Sequence, residues 1–414
     1  MKKHLRILLI LVVALVAVVS LGACTTVGPP SGQTPVWHPY LATQTETTGE
    51  TPQATHEISF PFVISEVDTT VTPTLTVTPQ PTATFHPATY YHFEPGVNPL
   101  TGLPVGDPSV LDRRPVLIKV SNWPREGRPH AGLSSADIVF EYFIGYNMNR
   151  FLAVYYGDNA DTIGPVRSGR LVDAQLTLLY QGILGYGNAD PQVDAVLVEA
   201  LGDRALAFKH LPCPPMCGTV THSATGVFAD SAAMTSYAVS QGIDNTPPDL
   251  RGMFFQEEPP AGDAPGTFLR FEYASWSRTE WHYDANSGRY ALWMDMETSD
   301  GVVEAPMTDR NTGAPVTVSN VVVMYAEYVE YAPTLHDIRI QDVRDYQPAL
   351  LFRDGVVVYG TWRVPEPNRP IIFEFPSGDS LPFKPGRTWV IIAGVNSQAY
   401  QPSSGRWDFY FDLP

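Results

Sequence analysis

"RFLAVYYGDNADTIGPVRSGRLVDAQLTLLYQG", residues 150–182, changes its periodicity halfway along. Its first eight residues are an apolar, aromatic run of strand length. After "IGPVRSGR" (163–170), Leu171, Leu176, Leu178 and Leu179 cluster on one side of a helix. A strand that hands over to a helix belongs to a sheet covered by helices. "RPVLIKVSN" (114–122) and "ADIVFEYF" (136–143) add strands of the same kind upstream. Downstream, "ILGYGN" reads as a strand and "ADPQVDAVLVEALG" as a helix, with Asp190 as its cap and Pro191 at its first position. A third helix fits "ADSAAMTSYAVSQG". Residues 96–255 are therefore expected to form an α/β or α+β domain with a mixed sheet.

Beyond Gly266 short strands dominate, among them "TFLRFEY", "TEWHYD", "NVVVMYAEYVEY", "ALLFRDGVVVYGTW" and "TWVIIAGV". Turn signals such as "DANSG" and the hairpin-type "RDG" separate them. Residues 264–414 are expected to form a mostly-β domain, a small barrel or sandwich. Such strands make a platform and do not reveal chemistry.

At the other end, residues 25–95 are rich in Thr and Pro and bury too little apolar surface to offset the entropy of ordering. They read as a stalk, with a coil span of about 45 Å and an extended span of roughly 200 Å. Within it, "ISFPFVIS" (58–65) is apolar enough to dock as a strand. The chain opens on "MKKHLR", a short apolar run and "SLGAC", the pattern of a secretory signal over residues 1–24. "LGAC" is similar to a bacterial lipobox, which makes Cys24 the expected lipidated residue. The expected location is the outer face of the bacterial cytoplasmic membrane, with the lipid anchor as the membrane contact.

The formal charge is −17, and loss of Lys2, Lys3 and Arg6 with the leader takes it to −20. That acidity argues against a nucleic-acid partner, which rewards basic patches. It also disfavours adsorption to anionic lipid, so the acyl chain should hold the protein at the membrane.

Two acids interrupt the strand "ADIVFEYF": Asp137 and Glu141 share one of its faces with Val139. Residues four apart on a strand lie about 13 Å from each other, too far for a glycosidase pair. Basic residues on adjacent strands, Lys119 and Arg150, are the expected neighbours, because a buried charge persists only when paired. In "IGPVRSGR", Ser168 can cap the following helix, while Arg167 and Arg170 oppose its dipole at a cost of about 0.3–1 kcal/mol each. An anion there would reverse that sign, whether an external ligand or an internal acid such as Asp137 or Glu141.

"HLPCPPMCGTVTH" spaces His210, Cys213, Cys217 and His222 as a metal set might, but an exported chain favours a Cys213–Cys217 disulfide. The disulfide is the preferred reading, and the four-residue metal set the weaker alternative. "GYGNAD" (185–190) lacks the Lys-Ser/Thr of a phosphate loop, and no G-x-S-x-G surrounds any serine. No cofactor is expected.

Five ordered motifs carry a family resemblance: "NPLTGLP" (98–104), "RRPVLIKVSN" (113–122), "RPHAGLSSADIVFE" (128–141), "NRFLAVYY" (149–156) and "IGPVRSGR". With "YDANSGRY" (283–290), "NVVV" (320–323), "GTW" (360–362) and "PGRTWV" (385–390), the chain resembles the YerB-like bacterial lipoproteins, which carry a two-part domain of unknown function. The resemblance implies an exported lipoprotein of two parts and supplies no reaction. Where relatives have Pro-His-Asn, this chain has Thr221-His222-Ser223, and its Cys213/Cys217 insert looks peculiar to it.

The functional expectation is a non-enzymatic envelope protein that binds a polar or anionic cell-wall polymer, or a protein partner. Asn122, Arg128, Arg150, Arg167, Ser168 and Arg170 are the ligand candidates, with Asp137 and Glu141 orienting the arginines. The competing expectation is an envelope hydrolase or transferase using Asp137 or Glu141 with His222.

Overall fold

A computed structural model describes residues 62–64, 91–219, 225–299 and 301–413. The signal sequence with Cys24, most of the stalk, and His222 lie outside the described residues.

The first half supplies strands β1 (Val116–Ser121), β2 (Ile138–Gly145), β3 (Met148–Tyr155), β4 (Ile183–Tyr186) and β5 (Ala205–Ala207). Its helices are α1 (Leu171–Leu179), α2 (Pro191–Leu201) and α3 (Ser231–Ser240). Asp190 caps α2 by accepting from the Gln192 N–H, and Pro191 opens it, as expected. Helix α1 differs from the expectation. Its N-cap is Arg170 and not Ser168, because Asp173 in its first turn accepts the Arg170 N–H at 2.7 Å. The cap comes from inside the helix, so the helix starts two residues later than a Ser168 cap would place it.

The second half supplies β6 (Phe268–Ala274), β7 (Ser277–Asp284), β8 (Arg289–Thr298), β9 (Gly301–Pro306), β10 (Asn320–Ala326), β11 (Gln347–Arg353), β12 (Val356–Arg363), β13 (Thr388–Gly394), β14 (Gln398–Ser403) and β15 (Arg406–Tyr410). The order of an α/β portion followed by a β-rich portion is as read from the sequence. The "RDG" hairpin joins β11 to β12, with Asp354 and Gly355 both at positive φ.

One eleven-stranded sheet draws on both halves, in the order Ala264–Pro265, β12, β11, β10, β13, β2, β3, β1, β4, β5, with Ile372–Glu374 paired to β12. Its seam is a parallel pairing of β13 with β2, from Thr388 opposite Ile138 to Ile392 opposite Tyr142. The central strands are buried along their whole length, which is why they read as nearly unbroken apolar runs. The second sheet has eight strands and runs Phe62–Ile64, β14, β15, β6, β7, β8, β9, with Thr317–Val318 beside β8. Part of "ISFPFVIS" thus does add a strand, Phe62–Ile64, parallel to β14.

The two sheets pack face to face. Trp281 on β7 meets Trp389 on β13 at 5.1 Å between ring centroids, and Phe352 on β11 meets Trp407 and Phe409 on β15. The opposite face of the β1–β4 region carries helices, so β2 and β3 each present one face to a sheet and one to helices.

Candidate functional site

Strand register decides which charged groups meet. Glu141 pairs across β2 and β3 with Phe151, and Tyr142 with Arg150. Directly paired residues share a face, so Glu141 and Arg150 point to opposite sides of the sheet.

On the side toward the second sheet, Glu141 is fully buried. Its Oε1 accepts from Asn149 Nδ2 at 2.6 Å and from Thr279 Oγ1 on β7 at 3.0 Å, and its Oε2 accepts from Trp389 Nε1 at 2.7 Å. Burial pushes its carboxyl up, and the Trp389, Asn149 and Thr279 donors pull it back. The chain continues outward. Asn149 Oδ1 accepts from Asn122 Nδ2 at 2.7 Å and from Trp123 Nε1 at 3.3 Å, and Asn122 Oδ1 accepts from Arg128 Nε at 3.0 Å. Arg128 then donates to the Asp295 carbonyl on β8 and lies 3.5 Å from that residue's carboxylate. Arg125 bonds the same carboxylate at 2.7 Å. Asn122 and Arg128 are therefore links in a buried polar chain that ties the two sheets together.

Asp137 sits at the head of β2 and is equally occupied. Its carboxylate accepts from Asn98 Nδ2 at 2.8 Å and from the backbone N–H groups of Tyr156 and Gly157 at 2.6 and 2.9 Å. Burial raises it to about 6, against the pull of those donors. It lines a cavity of about 280 Å³ together with Asn98, Thr101, Asp158 and Arg387. Neither Asp137 nor Glu141 bonds or ion-pairs with Arg150, Arg167 or Arg170. The expectation that these acids orient the arginines is corrected by the register: Glu141 faces the other side of the sheet.

The helix side carries the positive charge. Lys119 on β1 is fully buried, donates to the Tyr142 hydroxyl and lies 3.3 Å from Asp173 on α1. Tyr142 donates in turn to Asp173. Arg150, 7% exposed, reaches from β3 to the Ser168 carbonyl at 2.9 Å. Arg170 bonds the Gly169 carbonyl at 2.8 Å. Among the described residues, no carboxylate ion-pairs with Arg150, Arg167 or Arg170, and the Nε atoms of all three are buried without a hydrogen-bond partner. Burial, then repulsion from Arg170 and Arg167, pulls the Arg150 guanidinium well below its ordinary value. An arginine does not shed its proton, so burial and the two neighbouring guanidinium groups disfavour a charge that stays in place.

The backbone holds this cluster firmly. The Arg167 N–H donates to the Lys119 carbonyl at 2.9 Å, the Gly187 N–H to the Arg167 carbonyl at 2.8 Å, and the Val166 N–H to the Val227 carbonyl at 2.7 Å. Helix α1 begins at the cluster, and the first N–H groups of a helix have no partner within it. From the hairpin of Tyr328–Ala332 and Leu335–Ile338, His336 feels the charge of Arg170 and bonds Glu330 at 3.3 Å.

Cys213 and Cys217 form a disulfide with Cα atoms 4.8 Å apart, and His210 is exposed beside it. Among the described residues no group of three or more His, Cys, Asp or Glu could hold a metal ion. The sequence reading missed Asp173, Tyr142 and Asn149. Of these Asp173 had a signal, an acid three residues past Arg170 at the capping-box position.

Two family models match the chain, both described as a protein of unknown function (DUF3048): the N-terminal domain over residues 100–211 and the C-terminal domain over 269–390. The first span holds Asp137, Glu141, all three clustered arginines and Asp173; the second holds Thr279, Asp295 and Trp389. The putative lipoprotein YerB of Bacillus subtilis is 30% identical over 306 residues, which cover 71% of this chain and 85% of that protein. The crystal structure of the Bacillus subtilis YerB protein superposes with a TM-score of 0.59 at 27% identity, covering 72% of this chain and 96% of that one.

Proposed function

The chain belongs to the DUF3048 family, and from that premise and the arginine cluster we propose that it is a lipid-anchored, extracytoplasmic binder of an anionic envelope ligand. Cys24 is the lipidated residue and the outer face of the cytoplasmic membrane the location, supported by the lipobox-like "LGAC" and by the likeness to YerB, a putative lipoprotein. No helix among the described residues is long and apolar enough to cross a membrane. The observation that carries the ligand reading is the cluster of buried Arg150 with half-buried Arg167 and Arg170, none of them in an ion pair among the described residues and each with an unpartnered Nε, although the charge of Asp173 reaches Arg150 and Arg170. Uncompensated buried charge costs several kcal/mol, and a bound anion would offset that cost. Arg150, Arg167 and Arg170 bind the ligand, with Ser168 beside them, while Asn122 and Arg128 serve the inter-sheet chain. The ligand is the acidic part of a wall polymer or of an envelope protein. A catalytic role for Glu141 finds no support in a carboxylate sealed between sheets with both oxygens engaged.

The full chain in detergent, mixed with isolated cell walls, tests this reading. Retention should fall steeply with added salt and should drop in Arg167→Gln and Arg170→Gln. Retention indifferent to both would overturn it. Cys24→Ser should release the exported protein from the membrane fraction, and an unreleased variant would overturn the anchor.

A further inference from the structure

The anion site defined by Arg150, Arg167 and Arg170 can be taken one step further, to the chemical class of its ligand. This step rests on the reading above. We propose that the cluster holds a phosphate monoester group, a tetrahedral dianion, and not a carboxylate.

Charge balance is the first argument. Among the described residues, the main ionisable groups acting on the cluster are Lys119 from β1, Tyr142 from β2, Arg150 from β3, Arg167 and Arg170 from the loop before α1, Asp173 from α1, Asp190 from the cap of α2, and His336 from the hairpin. Asp173, which is buried, is shared between Lys119 at 3.3 Å and the charges of Arg150 and Arg170, and Asp190, which is exposed, acts on Arg170 alone among the three arginines, so positive charge is in excess even with Lys119 partly neutral. Tyr142 stays neutral, since burial and Asp173 push it far up, and burial lowers His336. A monocarboxylate would leave part of that excess uncompensated. A phosphate monoester, with a charge of about −1.5 to −2 at neutral pH, matches it.

Geometry is the second argument. Arg150 leaves the backbone from a strand, Arg167 from a loop and Arg170 from a helix cap, and Arg150 and Arg170 both reach carbonyls of the Ser168–Gly169 turn. A carboxylate offers two oxygens in one plane and suits one or two coplanar forks. A phosphoryl group offers three oxygens that diverge in space and can take a donor from each arginine. The Arg150 guanidinium, more than nine-tenths buried, reaches the Ser168 carbonyl two residues before the cap of α1. Its unpartnered Nε and the N-terminus of the helix thus belong to one anion-binding arrangement.

The test uses the full chain in detergent, with thermal unfolding and titration calorimetry against inorganic phosphate, glycerol 3-phosphate, dimethyl phosphate, acetate and succinate. Glycerol 3-phosphate and inorganic phosphate should raise the unfolding midpoint, and tighter binding of the ester would identify the esterified source over the free ion. Dimethyl phosphate, tetrahedral but with a single charge, should bind about tenfold more weakly or worse, as should acetate and succinate. Arg167→Gln and Arg150→Met should each weaken phosphate binding by about ten- to hundredfold, the loss of one charge-assisted contact. Without ligand, Arg150→Met should unfold at the same or a higher temperature than the wild type, because it removes a crowded charge. A lower midpoint would make Arg150 a structural member and overturn the proposal. Succinate or acetate binding as tightly as phosphate, with the same dependence on Arg167, would overturn the phosphate assignment and leave the anion site standing. No effect of any anion on the wild type would overturn the site itself.

Discussion

Replacing Glu141 with glutamine changes one atom, and the surroundings of that atom set the cost. Oε1 accepts from Asn149 and Thr279, and Oε2 accepts from Trp389. A glutamine has one acceptor oxygen and one donor nitrogen. With its nitrogen at the Oε2 position it faces the Trp389 N–H, which can only donate. With its nitrogen at the Oε1 position it faces the Asn149 amide. The Thr279 hydroxyl can turn to accept, but Asn149 cannot flip without breaking its bonds from Asn122 and Trp123. Either orientation loses a charge-assisted bond, worth about 1.5–3 kcal/mol, and leaves a buried donor unsatisfied at about 1–3 kcal/mol. Removing a buried charge returns part of this, so Glu141→Gln should destabilise by about 2–4 kcal/mol. Urea unfolding followed by tryptophan fluorescence at neutral pH measures it. Glu141→Leu, which orphans all three donors, should cost more, and phosphate binding by the folded fraction should be unchanged in both. A Glu141→Gln midpoint equal to that of the wild type would refute the reasoning, since a saturated carboxylate cannot lose a bond for nothing.

Two further outcomes follow from other positions. Burial lowers the Lys119 ammonium to about 7, with Asp173 opposing, so between about pH 7 and 9 the unfolded chain binds the extra proton and stability rises with pH. Lys119→Met should remove up to about 1.4 kcal/mol of that rise per pH unit, and parallel stability curves for variant and wild type would contradict it. Gly145 has φ +103°, and a Cβ there would lie 2.0 Å from the Pro333 carbonyl oxygen in the hairpin that carries His336. Gly145→Ala should therefore cost about 2–4 kcal/mol, while Gly242→Ala, at φ +76° just past the end of α3 with open space around it, should cost only about 1 kcal/mol; equal costs in a melting experiment would refute the close approach.

Much of the local structure was legible because it rests on local chemistry. Asp190 and Pro191 start a helix wherever they stand before an apolar stripe, and Asp-Gly turns a hairpin through its own backbone preferences. The partner of β2 was not legible, because "TWVIIAG" reads as a buried strand whatever lies beside it. Arg167 and Arg170 stood out as cations at a helix start, and the structure places them with Arg150. Their relation to Asp137 and Glu141 could not be read, since a register shift of one residue would have moved Arg150 to the Glu141 face. Periodicity shows that two residues share a face of one strand; only the pairing shows which face of the neighbour they meet.

The seam between β13 and β2 also bears on how the molecule is made. Ile138 and Thr388 lie side by side, yet about 250 residues of chain separate them. A chain that emerges amino end first, from a ribosome or a translocase, exposes one edge of β2 until nearly all the rest has followed. Contacts of such high sequence separation slow folding and leave an unpaired strand edge open to other chains in the interval. The two spans that match the family, 100–211 and 269–390, both contribute strands to that one sheet. A fragment ending between them would carry the arginines on a sheet with an exposed, adhesive flank. On this topology the sheet of the first half is expected to close only after β13 has been made.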